Sequence, residues 1–212
     1  MAERGKFIVL DGIDGCGKST VTDYVVKWLH EHRGFVVRTR DPGGTIIGEQ
    51  IRKILLSKEN QGMCANTELL LYIASRAQLV VEEIMPPLEL GSDVVCDRFV
   101  TSTYAYQGAL GHDVEIMRLC HRLFCKNVMP DLLLLLDADP EIAYYRMKAT
   151  GKVPDRLESR EMDYWHDVRN NFLRFSSQFF GDVLHVVDAN ENLEVVNALV
   201  DKVLAASFRS EA

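Results

Sequence analysis

The sequence predicts an α/β fold, a parallel five-stranded sheet flanked by helices on both faces, from three observations. Five short apolar runs recur along the 212 residues, longer segments with helically spaced apolar residues separate them, and the first run stops at a glycine-rich turn. The expected strands are Lys6 to Asp11, Phe35 to Thr39, Val94 to Asp97, Leu132 to Asp137 and Val183 to Asp188. Runs that are continuously apolar suit strands buried on both faces, as parallel sheets require. The helical spacing is clearest at Ile47, Ile51, Ile54 and Leu55, and at Leu193, Val196, Val200, Val203 and Leu204. No linker, repeat or low-complexity block interrupts the pattern, so residues 1–212 read as a single domain.

With 47% hydrophobic and 26% charged residues, the chain can bury a sizeable core. Its formal charge of −7 argues against a broad basic surface for nucleic acid, so an anionic ligand must meet a local cluster of cations. The apolar run Phe7 to Leu10 is too short for a signal peptide or membrane span. The five cysteines, at 16, 64, 96, 120 and 125, lack paired spacing and are expected as free thiols in a reducing cytoplasm.

Ligands of such sheets bind beyond the carboxyl ends of the strands, which directs attention to the residues after each apolar run. After the first run, Gly12-Ile13-Asp14-Gly15-Cys16-Gly17-Lys18-Ser19, followed by Thr20, satisfies the P-loop pattern in its strand–turn–helix setting. Backbone N–H groups and the helix N-terminus cradle phosphates there, Lys18 reaches the β/γ-phosphates of a nucleoside triphosphate, and Ser19 ligates Mg2+. The expected fold is therefore that of the P-loop NTPases. The loop alone does not separate kinases from other nucleotide-binding proteins. A guanine-reading Asn-Lys-x-Asp motif is absent from the sequence.

Four further motifs follow in order: Arg40-Asp41-Pro42-Gly43-Gly44-Thr45, Tyr72-Ile73-Ala74-Ser75-Arg76, Asp97-Arg98-Phe99 leading to Ser102-Thr103-Tyr104-Ala105-Tyr106-Gln107-Gly108, and Asp155-Arg156-Leu157-Glu158. With the P-loop they resemble the thymidylate kinase family over nearly the whole chain. The resemblance implies transfer of the γ-phosphoryl of ATP to dTMP with Mg2+, and a homodimer. It places the base between Tyr72 and Arg76, whose spacing puts both on one helical face. It gives Arg98 to the acceptor phosphate, Arg52 to its vicinity, and Ser102, Thr103 and Gln107 to the pyrimidine. Asp97, ending a strand, suits Mg2+ through its water shell. Asp14 would accept the 3′-hydroxyl of the deoxyribose. Blander readings remain for each: Tyr72 as core with Arg76 as solvated charge, Asp97 and Arg98 as a surface ion pair, and Asp14 as an acid favoured at a helix N-terminus.

Phosphoryl transfer concentrates charge on the moving group, and a cationic finger commonly meets it. Eukaryotic-type family members carry that arginine in the P-loop, where this chain has Gly15, whereas bacterial-type members use a basic lid. The segment at about 146–158, from Arg146 and Lys148 through Gly151, Lys152 and Pro154 to Arg156, is expected to be that mobile lid, with Arg156 as the finger. The chain departs from the family pattern at Asp11 and Asp41, where glutamates are common, at Phe99, and at Thr150, where some lids have arginine. Competing readings are another P-loop nucleoside or nucleoside monophosphate kinase, and a catalytically silent nucleotide-binding regulator.

Overall fold

The computed structural model of the chain describes residues 4–151 and 155–208; Lys152 and Pro154, expected in the lid, lie outside the described residues. The strands are β1 (Phe7–Asp11), β2 (Val36–Arg40), β3 (Asp93–Asp97), β4 (Leu132–Asp137) and β5 (Leu184–Asp188). All pair in parallel in the order β2-β3-β1-β4-β5, the P-loop NTPase fold. The five expected strands are all present, shifted by no more than a residue at any end. Phe35, expected to open β2, is instead exposed one residue before it.

Helices α1 (Lys18–Arg33), α2 (Ile46–Leu56), α3 (Ala65–Leu79), α4 (Met85–Glu89), α5 (Val100–Tyr106), α6 (Val114–Phe124), α7 (Pro140–Ala149), α8 (Met162–Phe180) and α9 (Leu193–Phe208) connect and cover the strands. A single π-type turn, Val80–Ile84, joins α3 to α4, with Met85 N–H reaching the Val80 carbonyl. Pro86 and Pro87 have no N–H for the preceding turn, which accounts for the departure from α-helical bonding. Side-chain caps start three of the helices: Thr45 accepts from Gly48 N at α2, Asp113 from Glu115 N at α6, and Asp139 from Glu141 N at α7, where Pro140 follows.

β1, β3 and β4 are buried throughout apart from the half-buried ends of β3 and β4, and their alternating residues build two layers. Ile8, Leu10, Leu134 and Leu136 pack with Val21, Val25 and Leu29 of α1 and with Val196, Val200 and Leu204 of α9. Phe7, Val9, Val94, Cys96 and Leu133 pack with Leu79, Ile84, Leu88 and Met117. Of the C-terminal spacing, Val196, Val200 and Leu204 mark a core face with Val203 half-buried against it, whereas Leu193 is exposed. The apolar residues between Ile47 and Ile84 divide: Leu55, Leu69, Ile73 and Leu79 are buried, whereas Ile47, Ile54, Leu70 and Val81 are exposed.

The turn after β1 is fixed from the far side by α7. Gly15 has φ +80°, and a Cβ there would stand 2.1 Å from the Ala143 carbonyl oxygen. An arginine in this loop would thus have to displace α7. Gly17 has a similar φ of +94° but nothing within 4 Å of its Cβ direction, so the two glycines separate backbone strain from steric contact. Both Gly17→Ala and Gly15→Ala should cost about 1–3 kcal/mol for the left-handed backbone, with Gly15→Ala costing more. At roughly 2–4 °C per kcal/mol for a chain of this size, thermal unfolding resolves the difference. Equal melting temperatures would show that α7 yields to the new methyl group.

Candidate active site

The carboxyl ends of β1, β2 and β3 open into one cavity of about 490 Å³, on the side where parallel sheets bind ligands. Asp14, Gly15, Gly17, Lys18, Ser19 and Thr20 line it from the P-loop. Gly12, Ile13 and Cys16 lie behind this wall. The Lys18 ammonium donates to the carbonyls of Gly12 (2.9 Å) and Ile13 (2.7 Å) and lies 3.5 Å from Cys16 Sγ.

Asp11 closes β1 and is fully buried. Its Oδ1 accepts from Gly12 N (3.0 Å) and Ser102 Oγ (2.6 Å), and its Oδ2 from Thr101 Oγ1 and from Phe99 N (3.4 Å). One carboxylate thereby ties the P-loop to the segment after β3. The shorter Asp in place of the family's usual Glu is fully used.

Arg98 takes φ +69°, an uncommon backbone for a residue with Cβ. From there Nη1 donates to Gly12 O (2.9 Å) and Ser102 Oγ (2.9 Å), and Nη2 to Asp14 Oδ1 (2.6 Å) and the Tyr106 hydroxyl (3.2 Å). Tyr106 OH donates in turn to Asp14 Oδ2 at 2.9 Å. Neighbouring Asp97 ends β3 at the cavity, and its Oδ1 is buried without a hydrogen-bond partner among the described residues.

At the opposite wall Arg76 is 2% exposed. Its Nε donates to Asp41 Oδ2 (2.5 Å), its Nη2 to Thr103 Oγ1 (2.6 Å) and Phe99 O (3.3 Å), and the Phe99 ring centre lies 5.4 Å from the guanidinium carbon. That leaves Nη1 for a cavity ligand. The turn after β2 itself packs closely on its strand, since a Cβ on Gly44 would meet Thr39 Oγ1 at 2.4 Å. Tyr72 lines the same wall and also packs with Leu55 and Leu157, so it is both core and site. Arg52 reaches the cavity while donating to Pro42 O at 2.9 Å.

Gln107 lines the cavity and donates to Glu68 Oε1 at 2.9 Å. Glu68 also pairs with Arg156 (2.7 Å) and Arg160 (3.1 Å) through Oε2. Arg156 is buried, its Nε donates to Leu55 O at 2.8 Å, and it is not part of the cavity wall. The structure thus assembles the P-loop, Asp97, Arg98, Arg52, Tyr72, Arg76, Ser102, Thr103 and Gln107 around one space, and holds Arg156 outside it. From α7 and the segment after it, Arg146, Thr150, Asp155, Leu157 and Glu158 face the cavity. Arg146 donates to the carbonyls of Ala189 (2.5 Å), Asn190 (2.7 Å) and Glu191 (3.1 Å). Sequence reasoning missed Glu68, although its spacing carried the signal: Glu68, Tyr72 and Arg76 stand four apart on one helical face.

Burial raises the carboxyl of Asp14, but the charges of Arg98 and Lys18 outweigh it and lower its pKa to about 2. Ionised Asp14 therefore favours the folded state above the unfolded carboxyl's ordinary range, and this contribution fades as pH falls toward 2. The stability advantage of the native protein over Asp14→Asn should shrink by about 1 kcal/mol between pH 5 and pH 3 in urea unfolding. Parallel pH profiles would show that Asp14 gains nothing from its cations.

A family profile described as thymidylate kinase matches residues 10–200. The chain is 37% identical over 205 residues to the thymidylate kinase of Vesicomyosocius okutanii, covering 96% of this chain and 99% of that one. It is 41% identical over 204 residues to the thymidylate kinase of Caldanaerobacter subterraneus subsp. tengcongensis, covering 94% of each. The crystal structure of thymidylate kinase from Ehrlichia chaffeensis superposes with a TM-score of 0.75 at 32% identity, over 95% of this chain and 98% of that one. With the ordered motifs converging on one cavity, these matches establish that the chain belongs to the thymidylate kinase family.

Proposed function

We propose that the protein transfers the γ-phosphoryl group of ATP to the phosphate of dTMP, giving ADP and dTDP. The observation that carries this reading is a single cavity with the P-loop lysine on one wall and, on another, an aromatic face beside an arginine whose Nη1 is unspent. A guanidinium only donates, so it suits the C4 carbonyl of thymine and opposes the C4 amino group of cytosine. The accepting phosphate oxygen is already ionised at neutral pH. Transfer then needs positioning and charge rather than a general base.

Three cations on the cavity wall donate hydrogen bonds to backbone carbonyls and to no carboxylate among the described residues: Lys18, Arg52 and Arg146. They supply net positive charge for the phosphates of two nucleotides. Arg98, neutralised by Asp14, orients the acceptor phosphate. Ser19 and Asp97, whose Oδ1 is buried without a hydrogen-bond partner among the described residues, would hold Mg2+, which would supply charge screening for the phosphates when bound. Arg156 could act as a finger only after release from Glu68 and Leu55, so the three carbonyl-bound cations are the better-placed charges.

The sequence-level resemblance to a homodimer has a structural counterpart in adjacent helices. Ile54 on α2, Leu70 on α3, and Ile116, Leu119 and Leu123 on α6 are exposed, while Met117 and His121 on the other face of α6 are buried. A second copy of the chain would cover this apolar strip. No helix among the described residues is long and apolar enough to cross a membrane. All five cysteines are free, which favours a reducing cytoplasm.

Three measurements test these assignments. In a coupled assay of ATP consumption with dTMP, dUMP, dCMP, dGMP and thymidine, dTMP should give the highest kcat/KM. Preference for thymidine or dCMP would assign a different kinase activity, and no turnover would leave a nucleotide-binding regulator. Arg76→Ala alone would strand the Asp41 carboxylate, at about 3–5 kcal/mol, so the informative variant is Asp41→Asn with Arg76→Gln. Its KM for dTMP should rise by about 10- to 100-fold, the loss of roughly 1.5–3 kcal/mol from a hydrogen bond to a charged group, with little change for ATP. An unaltered dTMP KM would remove Arg76 from the base pocket. Leu123→Glu should convert a dimer to a monomer in sedimentation experiments, and an unchanged sedimentation coefficient would place the contact elsewhere.

A further inference from the structure

We propose that Glu68 is a positioning residue of the acceptor site, one buried carboxylate that orders the base pocket and the 155–160 turn as a single unit. The proposal rests on the reading of the cavity as a dTMP site. Glu68 is 1% exposed and is not itself part of the cavity wall. It can act only through the groups it holds, Gln107 after α5 and Arg156 and Arg160 of the 155–160 turn, which come from two separate parts of the chain.

On one side Glu68 Oε1 fixes the Gln107 amide, at the end of α5, by the 2.9 Å bond that presents Gln107 to the cavity. On the other, Oε2 receives Arg156 at 2.7 Å and Arg160 at 3.1 Å. Arg156 also grips the end of α2, through Nε to Leu55 O (2.8 Å) and its backbone N to Leu56 O (3.4 Å). The turn between the two arginines is closed by Asp155 Oδ1, which accepts from Leu157 N and Glu158 N at 2.9 Å each. Leu157 is thereby set against Tyr72 and Leu55. The aromatic wall of the base pocket and its Gln107 are thus both held through Glu68.

The charge balance makes the arrangement conditional on the carboxylate of Glu68. Two guanidinium groups share one carboxylate, and Arg156 Nη2 and Arg160 Nη1 are buried without a hydrogen-bond partner among the described residues. Removing the one negative charge leaves two like charges close together in a poorly solvated place. The expected response is separation of the turn from α3, since Gln107 can keep its bond to a neutral amide. Lys18 and the P-loop share no partner with Glu68, so the donor side should be spared.

Glu68→Gln separates these effects from a general loss of stability. Hydrogen–deuterium exchange of the full-length, nucleotide-free protein should accelerate about tenfold or more at residues 155–161, with the P-loop unchanged. The KM for dTMP should rise by about tenfold, that for ATP should move by less than about twofold, and Glu68→Asp should recover part of the loss. Unchanged exchange at 155–161, or equal rises in both KM values, would overturn the proposal. So would a rise in kcat, which would mean that Glu68 withholds Arg156 from the phosphates. If Glu68→Gln fails to fold, Arg160→Gln keeps the Glu68–Arg156 pair and should loosen the same turn while sparing the KM for ATP; no loosening there overturns the proposal equally. The exchange measurement needs no acceptor. A protein that loosens at this turn yet does not phosphorylate dTMP would refute the substrate and keep the latch.

Discussion

The site depends first on the buried carboxylate of Asp11. Parallel strands end in loops that would otherwise be independent, and a P-loop needs its neighbour from β3 at a fixed distance. Asp11 supplies that constraint by accepting from Gly12 N on its own side and from Phe99 N, Thr101 and Ser102 on the other. With no exposure to water, every lone pair left unmet there would be costly. Arg98 is then placed by its 2.9 Å bonds to Gly12 O and Ser102, and tolerates its unusual φ because so many contacts specify it.

The same device recurs on the other walls. Asp41 sets Arg76 from behind, as Asp11 sets Arg98, and Glu68 sets Arg156 and Arg160. In each case a carboxylate at most 1% exposed by its side chain faces a guanidinium whose planar fork allows part of it to be spent on the protein and part to remain. Buried ion pairs of this kind are weak evidence for stability. Their value here is orientation: they fix the direction of donors that a mobile side chain would lose entropy to present.

The fold was readable because its cause is local. Continuous apolar runs at Phe7 to Leu10 and Leu132 to Leu136 suit strands buried on two faces, and a glycine turn between such a strand and a helix in the P-loop pattern suits phosphate. The motif residues were readable for the same reason, since Arg98 and Gln107 lie within short stretches. Spacing alone could set Glu68 on the face of Tyr72 and Arg76, but the pairing of Glu68 with Arg156 was not readable, because it is a contact across 88 positions of sequence. Composition marks Arg156 as a cation at the end of a basic segment, and nothing in the local pattern says which carboxylate is waiting for it. Arg146 was legible as part of a basic segment, but its engagement with the carbonyls of residues 189–191 depends on where β5 ends.

That distinction between neutralised and unneutralised cations resolves an apparent conflict in the composition. A chain of formal charge −7 must bind two highly anionic nucleotides. Charges on the distant surface are screened beyond about 8 Å at physiological ionic strength, so the net value matters little inside a cleft. What matters is which charges in the cleft are already matched. Arg76 and Arg98 are paired with Asp41 and Asp14, and Arg40 with Glu49, so they contribute shape more than potential. Lys18, Arg52 and Arg146 are tied to carbonyl dipoles, which orient a cation without cancelling it. The cavity wall thereby keeps three cations that no carboxylate hydrogen-bonds among the described residues, and an acidic exterior is compatible with a cationic site.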